Sequence, residues 1–155
     1  MVKSYRGVQE EKPVVIETQR ISVKDYMSTH LITFHPDQSI MEVVQELLTH
    51  RISGAPVVNS MGELVGVISE GDCLKEVVKG KYHNLPSMCG KVKDHMATNV
   101  VRIHPEMNVF EAARMFLEMK IRRFPVLDDH GRLIGQISQK DVMRAVQNLK
   151  TENWH

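Results

Sequence analysis

The chain of 155 residues is long enough for one ordinary domain or for two small ones that share a core. Apolar residues make up 42% of it and charged residues 25%, a balance typical of soluble globular proteins and not of disordered or fibrous ones. The formal net charge of +1 argues against nucleic acid as the main partner, because duplex DNA binders carry a clear basic excess.

The sequence predicts a cytoplasmic protein with no membrane partner. No apolar run approaches the roughly 20 residues needed to cross a bilayer, and the N-terminal stretch MVKSYRGVQEEKPVVIE lacks the apolar core of a secretory signal. Cys73 and Cys89 are not in CxxC spacing, so the cysteines indicate neither a disulfide framework nor a metal site.

The chain contains an internal repeat. Residues 23–78 align without a gap on residues 92–147, and 19 of the 56 aligned positions are identical, which indicates a tandem duplication. The predicted organisation is an N-terminal extension (1–22), repeat 1 (23–78), a linker rich in Gly, Pro and Lys (79–91), repeat 2 (92–147) and a C-terminal tail (148–155).

In repeat 1, the first predicted element is a short strand, LITF, at residues 31–34. Ser39 and Glu42 form a capping-box pattern that opens a helix with Ile40, Val43, Val44, Leu47 and Leu48 at helical spacing. Two strands, APVVN and ELVGVIS, follow around the turn NSMG, whose glycine supplies a positive φ. A last helix begins near Ser69 and carries Leu74, Val77 and Val78.

Repeat 2 follows the same order. Asn108 is the predicted cap of a helix that places Val109, Ala112, Ala113, Phe116 and Leu117 on its buried face. The strands FPVLD and RLIGQIS flank the turn DDHG, and the last helix carries Val142, Ala145 and Val146. Each repeat is therefore a β-α-β-β-α unit, and the fold class is α/β in the broad sense, of the α+β type.

Both repeats end their hairpin in a serine that an aspartate follows three residues later, Ser69 with Asp72 and Ser138 with Asp141. At a helix start, this pattern sets a hydroxyl and a carboxylate beside exposed backbone N–H groups. The carboxylate can accept hydrogen bonds from ribose hydroxyls, and the hydroxyl and helix N-terminus suit a phosphate, so one interpretation of the pattern is a nucleoside site. The alternative is that both serines are simply helix N-caps.

The two copies together resemble the cystathionine-β-synthase-type (CBS) domain. The resemblance rests on MST or MAT, HP, APVV or FPVL, the turn glycine and G-x-x-S-x-x-D, present in each copy over about residues 23–147. It implies a pseudo-two-fold pair of repeats, a Bateman module, with two clefts at the interface. Such clefts hold adenosine-containing ligands, so the resemblance implies AMP, ADP or ATP, with S-adenosylmethionine or NAD(H) as alternatives.

The resemblance also assigns ligand-binding residues to each cleft. One cleft would combine Ser69 and Asp72 with Thr98, Ile121, Arg122 and Arg123, and the other Ser138 and Asp141 with Thr29, Ile52 and Ser53. The two arginines favour a charged nucleotide in the first cleft, because guanidinium groups bind phosphate in a bidentate manner. The alternative is that the arginines form a solvated edge and pair with Asp128 or Asp129.

The function that follows is a regulatory ligand sensor with no catalytic residues, no metal and no catalytic cofactor. His35-Pro36 and His104-Pro105 are interpreted as turn residues, since no second ligand lies at a usual metal spacing. Family modules pair through their helices, so a homodimer is expected, and the absence of an attached enzyme implies a separate target protein. The alternatives are a dimerisation module with vestigial clefts and a hydrolase, which turnover of a bound nucleotide would reveal.

Overall fold

The structure is a computed structural model that describes residues 21–83 and 90–153, with side chains over 21–79 and 90–149. A 3₁₀ turn at Val23–Asp25 precedes the regular elements. In chain order these are helix α1 (Ile40–His50), strands β1 (Gly54–Val58) and β2 (Leu64–Ser69), helix α2 (Glu70–His83), the short helix α3 (Val92–His95), helix α4 (Val109–Met119), strands β3 (Arg123–Leu127) and β4 (Leu133–Ser138), and helix α5 (Gln139–Asn153). Helix α2 therefore enters the predicted linker, and most of the predicted N-terminal extension lies outside the described residues.

The chain divides into two compact units. Of the described residues, unit 1 comprises 21–29, 102–126 and 134–153, and unit 2 comprises 30–83, 90–101 and 127–133. Each unit thus combines the helices of one repeat with the opening segment of the other repeat. We call residues 21–29 and 90–98 the entry segments, because each lies at the start of a repeat in sequence and packs in the unit built from the other.

Each unit is built on a two-stranded hairpin, β1–β2 in unit 2 and β3–β4 mainly in unit 1. The glycines of the two turns have φ values of +81° and +80°, as the sequence predicts for Gly62 and Gly131. The predicted first strand is reduced to one parallel bridge in each unit, Phe34 with Val57 and Ile103 with Val126. The α+β class and both hairpins are confirmed, whereas LITF is wrong as a strand.

The predicted caps of α1 and α4 are confirmed. The Ser39 hydroxyl accepts from the Glu42 amide at 3.1 Å, and the Glu42 carboxylate accepts from the Ser39 amide at 3.0 Å, which completes the capping box. The Asn108 side chain accepts from the Phe110 amide at 2.7 Å. These bonds satisfy N–H groups that have no partner within the helix, and they fix where each helix begins.

The helices bury a narrower stripe than the sequence predicts. In α1 the buried residues are Ile40, Val43 and Leu47, and in α4 they are Val109, Ala112 and Phe116. The helical spacing predicts Leu117 on the buried face of α4, which is wrong, because its exposed fraction is 80%. The matched Leu48 of α1 is 74% exposed. Both follow the buried stripe by one residue, so each faces away from the core of its unit. Within the described residues, no helix combines the length and apolar character that crossing a bilayer requires.

Candidate functional site

The Ser69–Asp72 motif joins the end of β2 to the start of α2. The Ser69 amide donates to Asp72 Oδ2 at 2.9 Å, its hydroxyl donates to the same oxygen at 3.0 Å, and the Asp72 amide lies 3.4 Å from the Ser69 hydroxyl. This reciprocal pattern is a capping box, so the interpretation of Ser69 as an N-cap is confirmed. Capping occupies only one carboxylate oxygen. The other, Oδ1, lies 3.7 Å from the exposed Lys75 ammonium and keeps acceptor capacity for a ligand.

The matched motif in unit 1 uses its aspartate more fully. The Ser138 amide donates to Asp141 Oδ2 at 2.8 Å, and the Asp141 amide donates to the Ser138 hydroxyl at 3.3 Å. Here Asp141 Oδ1 accepts from the Arg144 guanidinium, and the Asp141 side chain is only 6% exposed, against 15% for Asp72. The two motifs have similar hydrogen bonds to the backbone but differ in how accessible their carboxylates are to a ligand. Asp72 is the more accessible acceptor.

The entry segments place the two predicted threonines beside the strands that lead to the motifs. In unit 2 the Val67 and Ala97 amides each donate to the other residue's carbonyl, at 2.9 and 2.8 Å, and Thr98 follows directly. In unit 1 the same exchange joins Ser28 to Gln136, at 2.9 and 3.0 Å, and Thr29 follows. Each threonine therefore lies beside a strand that ends in the Ser–Asp motif of the other repeat. Its role in a ligand site stays a prediction.

A close contact explains why the first residue of G-x-x-S-x-x-D is glycine. A Cβ on Gly66 would lie 2.7 Å from the Ala97 carbonyl oxygen and 2.8 Å from the sulfur of Met96. A Cβ on Gly135 would lie 2.5 Å from the sulfur of Met27. The methionine of each entry segment thus packs on the glycine of the hairpin in its unit. The sequence shows both residues as repeated identities, but their contact appears only in the structure.

The remaining predicted residues divide between the units. Ile52 and Ser53 lie in unit 2, where the Ser53 carbonyl accepts from the Glu70 amide at 2.9 Å, next to Ser69. Ile121, Arg122 and Arg123 lie in unit 1, and both guanidinium side chains are exposed. The predicted combination of these three residues with Ser69 and Asp72 stays a prediction.

The alternative role for the two arginines involves Asp128. Its carboxylate pairs with the Arg132 guanidinium at 3.3 Å and accepts from the backbone amides of His130 and Arg132 at 2.9 and 3.0 Å. These donors hold the pKa of Asp128 below its usual value. Asp128 is therefore engaged within its own turn.

Two conspicuous residue types have structural explanations. The Asp37 amide donates to His35 Nδ1 at 3.2 Å, and the Glu106 amide donates to His104 Nδ1 at 3.1 Å, so both imidazoles stabilise the turns before helices α1 and α4. Burial raises the pKa of the Cys73 thiol, which keeps it protonated in the core of unit 2. Across the described part of the chain, no group of three or more His, Cys, Asp or Glu side chains is arranged to hold a metal ion.

Comparison with known proteins identifies the family. The model of the CBS domain matches residues 23–79 and residues 92–148. The chain therefore belongs to the CBS-domain family and carries two such domains in tandem.

Related proteins support this assignment. An uncharacterized protein of Methanocaldococcus jannaschii is 31% identical over an alignment of 155 residues. The alignment covers 80% of this chain and 90% of that protein. A crystal structure of CBSX2, a CBS-pair protein of Arabidopsis thaliana, in complex with AMP is 31% identical with a TM-score of 0.71, over 84% of this chain and 98% of that one. The CBS domain pair of protein MJ0100, in complex with 5'-methylthioadenosine and S-adenosylmethionine, is 31% identical with a TM-score of 0.66, over 82% and 96%. Some curated relatives are much longer, and the chain spans only 26% of one of them.

Proposed function

We propose that the chain is a regulatory module that binds an adenine nucleotide of the AMP, ADP or ATP class and signals its occupancy to a partner protein without catalysing a reaction. The observation that carries the proposal is the Asp72 carboxylate, which caps α2 through Oδ2 and keeps Oδ1 for another donor. A ribose offers two adjacent hydroxyl donors that suit such an oxygen. The complexes of CBSX2 with AMP and of MJ0100 with S-adenosylmethionine support an adenosine-containing ligand.

We propose three further groups for ligand binding. Thr98 and Ser69 supply hydroxyls, and the first amides of α2 and the positive end of its dipole favour a phosphate. Arg122 and Arg123 are proposed, from the sequence, to bind further phosphate oxygens, which favours nucleotides over uncharged nucleosides. An adenosine ligand without phosphates, such as S-adenosylmethionine, is the alternative, and NAD(H) is a second one.

The proposal predicts stabilisation of the folded protein by its ligand. At a concentration one hundred times the dissociation constant, a ligand adds about 2.7 kcal/mol to the free energy of unfolding, which for a chain of this length raises Tm by about 5 to 10 °C. Thermal unfolding against AMP, ADP, ATP, S-adenosylmethionine and NAD(H) measures the effect, and chromatography of the nucleotide after incubation detects turnover. The absence of any shift at millimolar ligand would favour a dimerisation module, and product formation would indicate an enzyme.

We further propose that the module pairs with a second copy through its helices. Four matched positions carry an exposed large apolar side chain in both units: Met41 and Phe110, Leu48 and Leu117, Leu74 and Met143, Val77 and Val146. We call these sets the apolar faces of α1–α2 and α4–α5. Large exposed apolar patches mark interaction sites, and the presence of the same face in both copies suits a symmetric partner that presents it too.

Leu48→Glu should therefore weaken self-association by at least tenfold, because it places a charge in an apolar interface. Thr49→Glu is the matched control, since it adds the same charge at the neighbouring exposed position of α1. Sedimentation equilibrium of the two variants and the wild type measures the dissociation constant. Equal association of all three would exclude this face as the interface.

A further inference from the structure

A buried polar cluster joins helix α2 to the entry segment of unit 2. Glu76 Oε1 lies 2.6 Å from His95 Nε2, and the Gly90 amide donates to Glu76 Oε2 at 2.9 Å. The side chains of Glu76 and His95 are only 6% and 13% exposed. The bond to His95, followed by that from Gly90, holds the pKa of Glu76 below its usual value, so the carboxylate remains ionised in the folded protein.

The matched positions of unit 1 are apolar or aromatic. Glu76, His95 and Gly90 correspond in the repeat alignment to Ala145, Tyr26 and Ile21. Ala145 and Ile21 are buried, and the Tyr26 hydroxyl lies 3.4 Å from the Asn148 amide nitrogen. One unit therefore holds its entry segment with a charged cluster where the other has mostly apolar side chains.

The backbone docks in the same way in both units. The Ile40 amide donates to the Gly90 carbonyl at 3.0 Å, and the matched Val109 amide donates to the Ile21 carbonyl at 2.9 Å. The strand exchanges that precede Thr98 and Thr29 are also equivalent. The fold of the unit therefore does not require a carboxylate and an imidazole at these positions.

The free-energy cost of removing a single residue distinguishes this cluster from ordinary apolar core packing. Removing one partner of a buried hydrogen bond to a carboxylate leaves an unsatisfied polar group and is strongly destabilising, whereas replacing both partners by apolar residues is often neutral. Gly90 is part of the arrangement, because a Cβ there would lie 2.6 Å from Glu76 Oε1. Docking of the entry segment thus depends on three residues that act together.

We infer that Glu76, His95 and Gly90 form a clasp that positions residues 90–98, and with them Thr98, for ligand binding along β2, the strand that ends in the Ser69–Asp72 motif. Glu76 and His95 are positioning residues, since they act through Thr98 and the Val67–Ala97 exchange. The part of this inference that concerns a ligand rests on the proposed function. The docking of the entry segment is measurable without a nucleotide.

Amide hydrogen exchange provides the test, with an internal control. The Ala97 amide and the matched Ser28 amide each donate to a strand carbonyl, at 2.8 and 2.9 Å, in units 2 and 1. His95→Ala should accelerate exchange at Ala97 at least tenfold and leave Ser28 unchanged, because only unit 2 contains the clasp. The double variant Glu76→Ala with His95→Tyr reproduces the residues of unit 1 at these two positions and should restore most of the protection.

An acid titration separates the clasp from simple packing. Because the folded-state pKa of Glu76 is lowered from 4.5, its contribution is present above that value and is lost as the pH falls through the folded pKa. Among the described residues, the groups that act on the Glu76 carboxylate are His95, the Gly90 amide and Lys79 of the same helix. The two carboxylates of the adjacent helix α1 have other partners, since Glu42 bonds to Ser39 and Glu46 pairs with His50. The protection of Ala97 relative to Ser28 should therefore fall in acid for the wild type and not for the double variant.

Titration with AMP, followed by calorimetry, completes the experiment. His95→Ala should weaken AMP binding at least tenfold, and the double variant should recover it. Equal acceleration at Ala97 and Ser28, or no acceleration, would contradict the clasp, and unchanged AMP affinity despite rapid Ala97 exchange would contradict its positioning role. If the wild type binds no nucleotide, the proposed function fails and the exchange data still decide whether the clasp exists.

Discussion

Replacing Gly66 by alanine should lower the free energy of unfolding by about 3 kcal/mol, whereas the same change at the matched Gly135 should cost about 1 to 2 kcal/mol. The difference follows from what each new Cβ meets. At Gly66 the nearest atom is the Ala97 carbonyl oxygen at 2.7 Å, which accepts the Val67 hydrogen bond and cannot retreat without lengthening it. At Gly135 the near atoms belong to the flexible Met27 side chain.

Thermal and denaturant unfolding of the two variants measures this difference. Gly71→Ala is the control, because Gly71 lies in the first turn of α2 with only the Ser69 hydroxyl near its Cβ position, at 3.8 Å. That change should be neutral or slightly stabilising, since alanine has the higher helix propensity. Adding Met27→Ala to Gly135→Ala should recover part of the loss, whereas Met96→Ala should not rescue Gly66→Ala. Equal costs at Gly66 and Gly135 would show that the Ala97 backbone yields more easily than its hydrogen bond indicates.

Asp72→Asn should weaken binding of the stabilising nucleotide by about 10- to 100-fold. Hydrogen bonds to a charged acceptor contribute about 1.5 to 3 kcal/mol, and each 1.4 kcal/mol changes the dissociation constant tenfold. Asparagine retains an oxygen that accepts from the Ser69 amide, so the variant preserves the cap of α2 better than alanine would. Calorimetric titration with the nucleotide that raises Tm gives the ratio directly.

Asp141→Asn is the matched control for this prediction. Asp141 Oδ1 already accepts from the Arg144 guanidinium, whereas Asp72 Oδ1 lies 3.7 Å from the exposed Lys75 ammonium. Replacing Asp141 should therefore change affinity less than Asp72→Asn does. A larger loss at Asp141 would place the stronger site in unit 1. Unchanged affinity in both variants would show that the two aspartates serve only to cap their helices. That result would favour the alternative interpretation of the motif as a helix N-cap.

Local sequence patterns predict most of the helices, caps and turns, because these depend on residues near one another in the chain. Ser39 with Glu42 predicts the start of α1, and Gly62 and Gly131 predict turns that need positive φ. The motifs repeated in both copies resemble those of the CBS domain, and the model of that family confirms the resemblance. Local patterning also misplaced Leu117, since helical periodicity marks an apolar stripe but not how much of its width the neighbouring elements cover.

The contacts between segments that are distant in the chain are seen in the folded structure and not in local sequence patterns. The repeat pattern does not say which copy residues 23–29 and 92–98 pack against. The resemblance implies an exchange between copies, and hydrogen bonds from the entry segments reach the helices and hairpin of the other copy. The contact of Met96 with Gly66 and the clasp of Glu76 with His95 depend on that exchange, and both join residues that are 19 or more positions apart in the chain. Propensity and periodicity describe residues that are neighbours along the chain. Close packing and the burial of charged groups instead depend on which distant parts of the chain come together and exclude water.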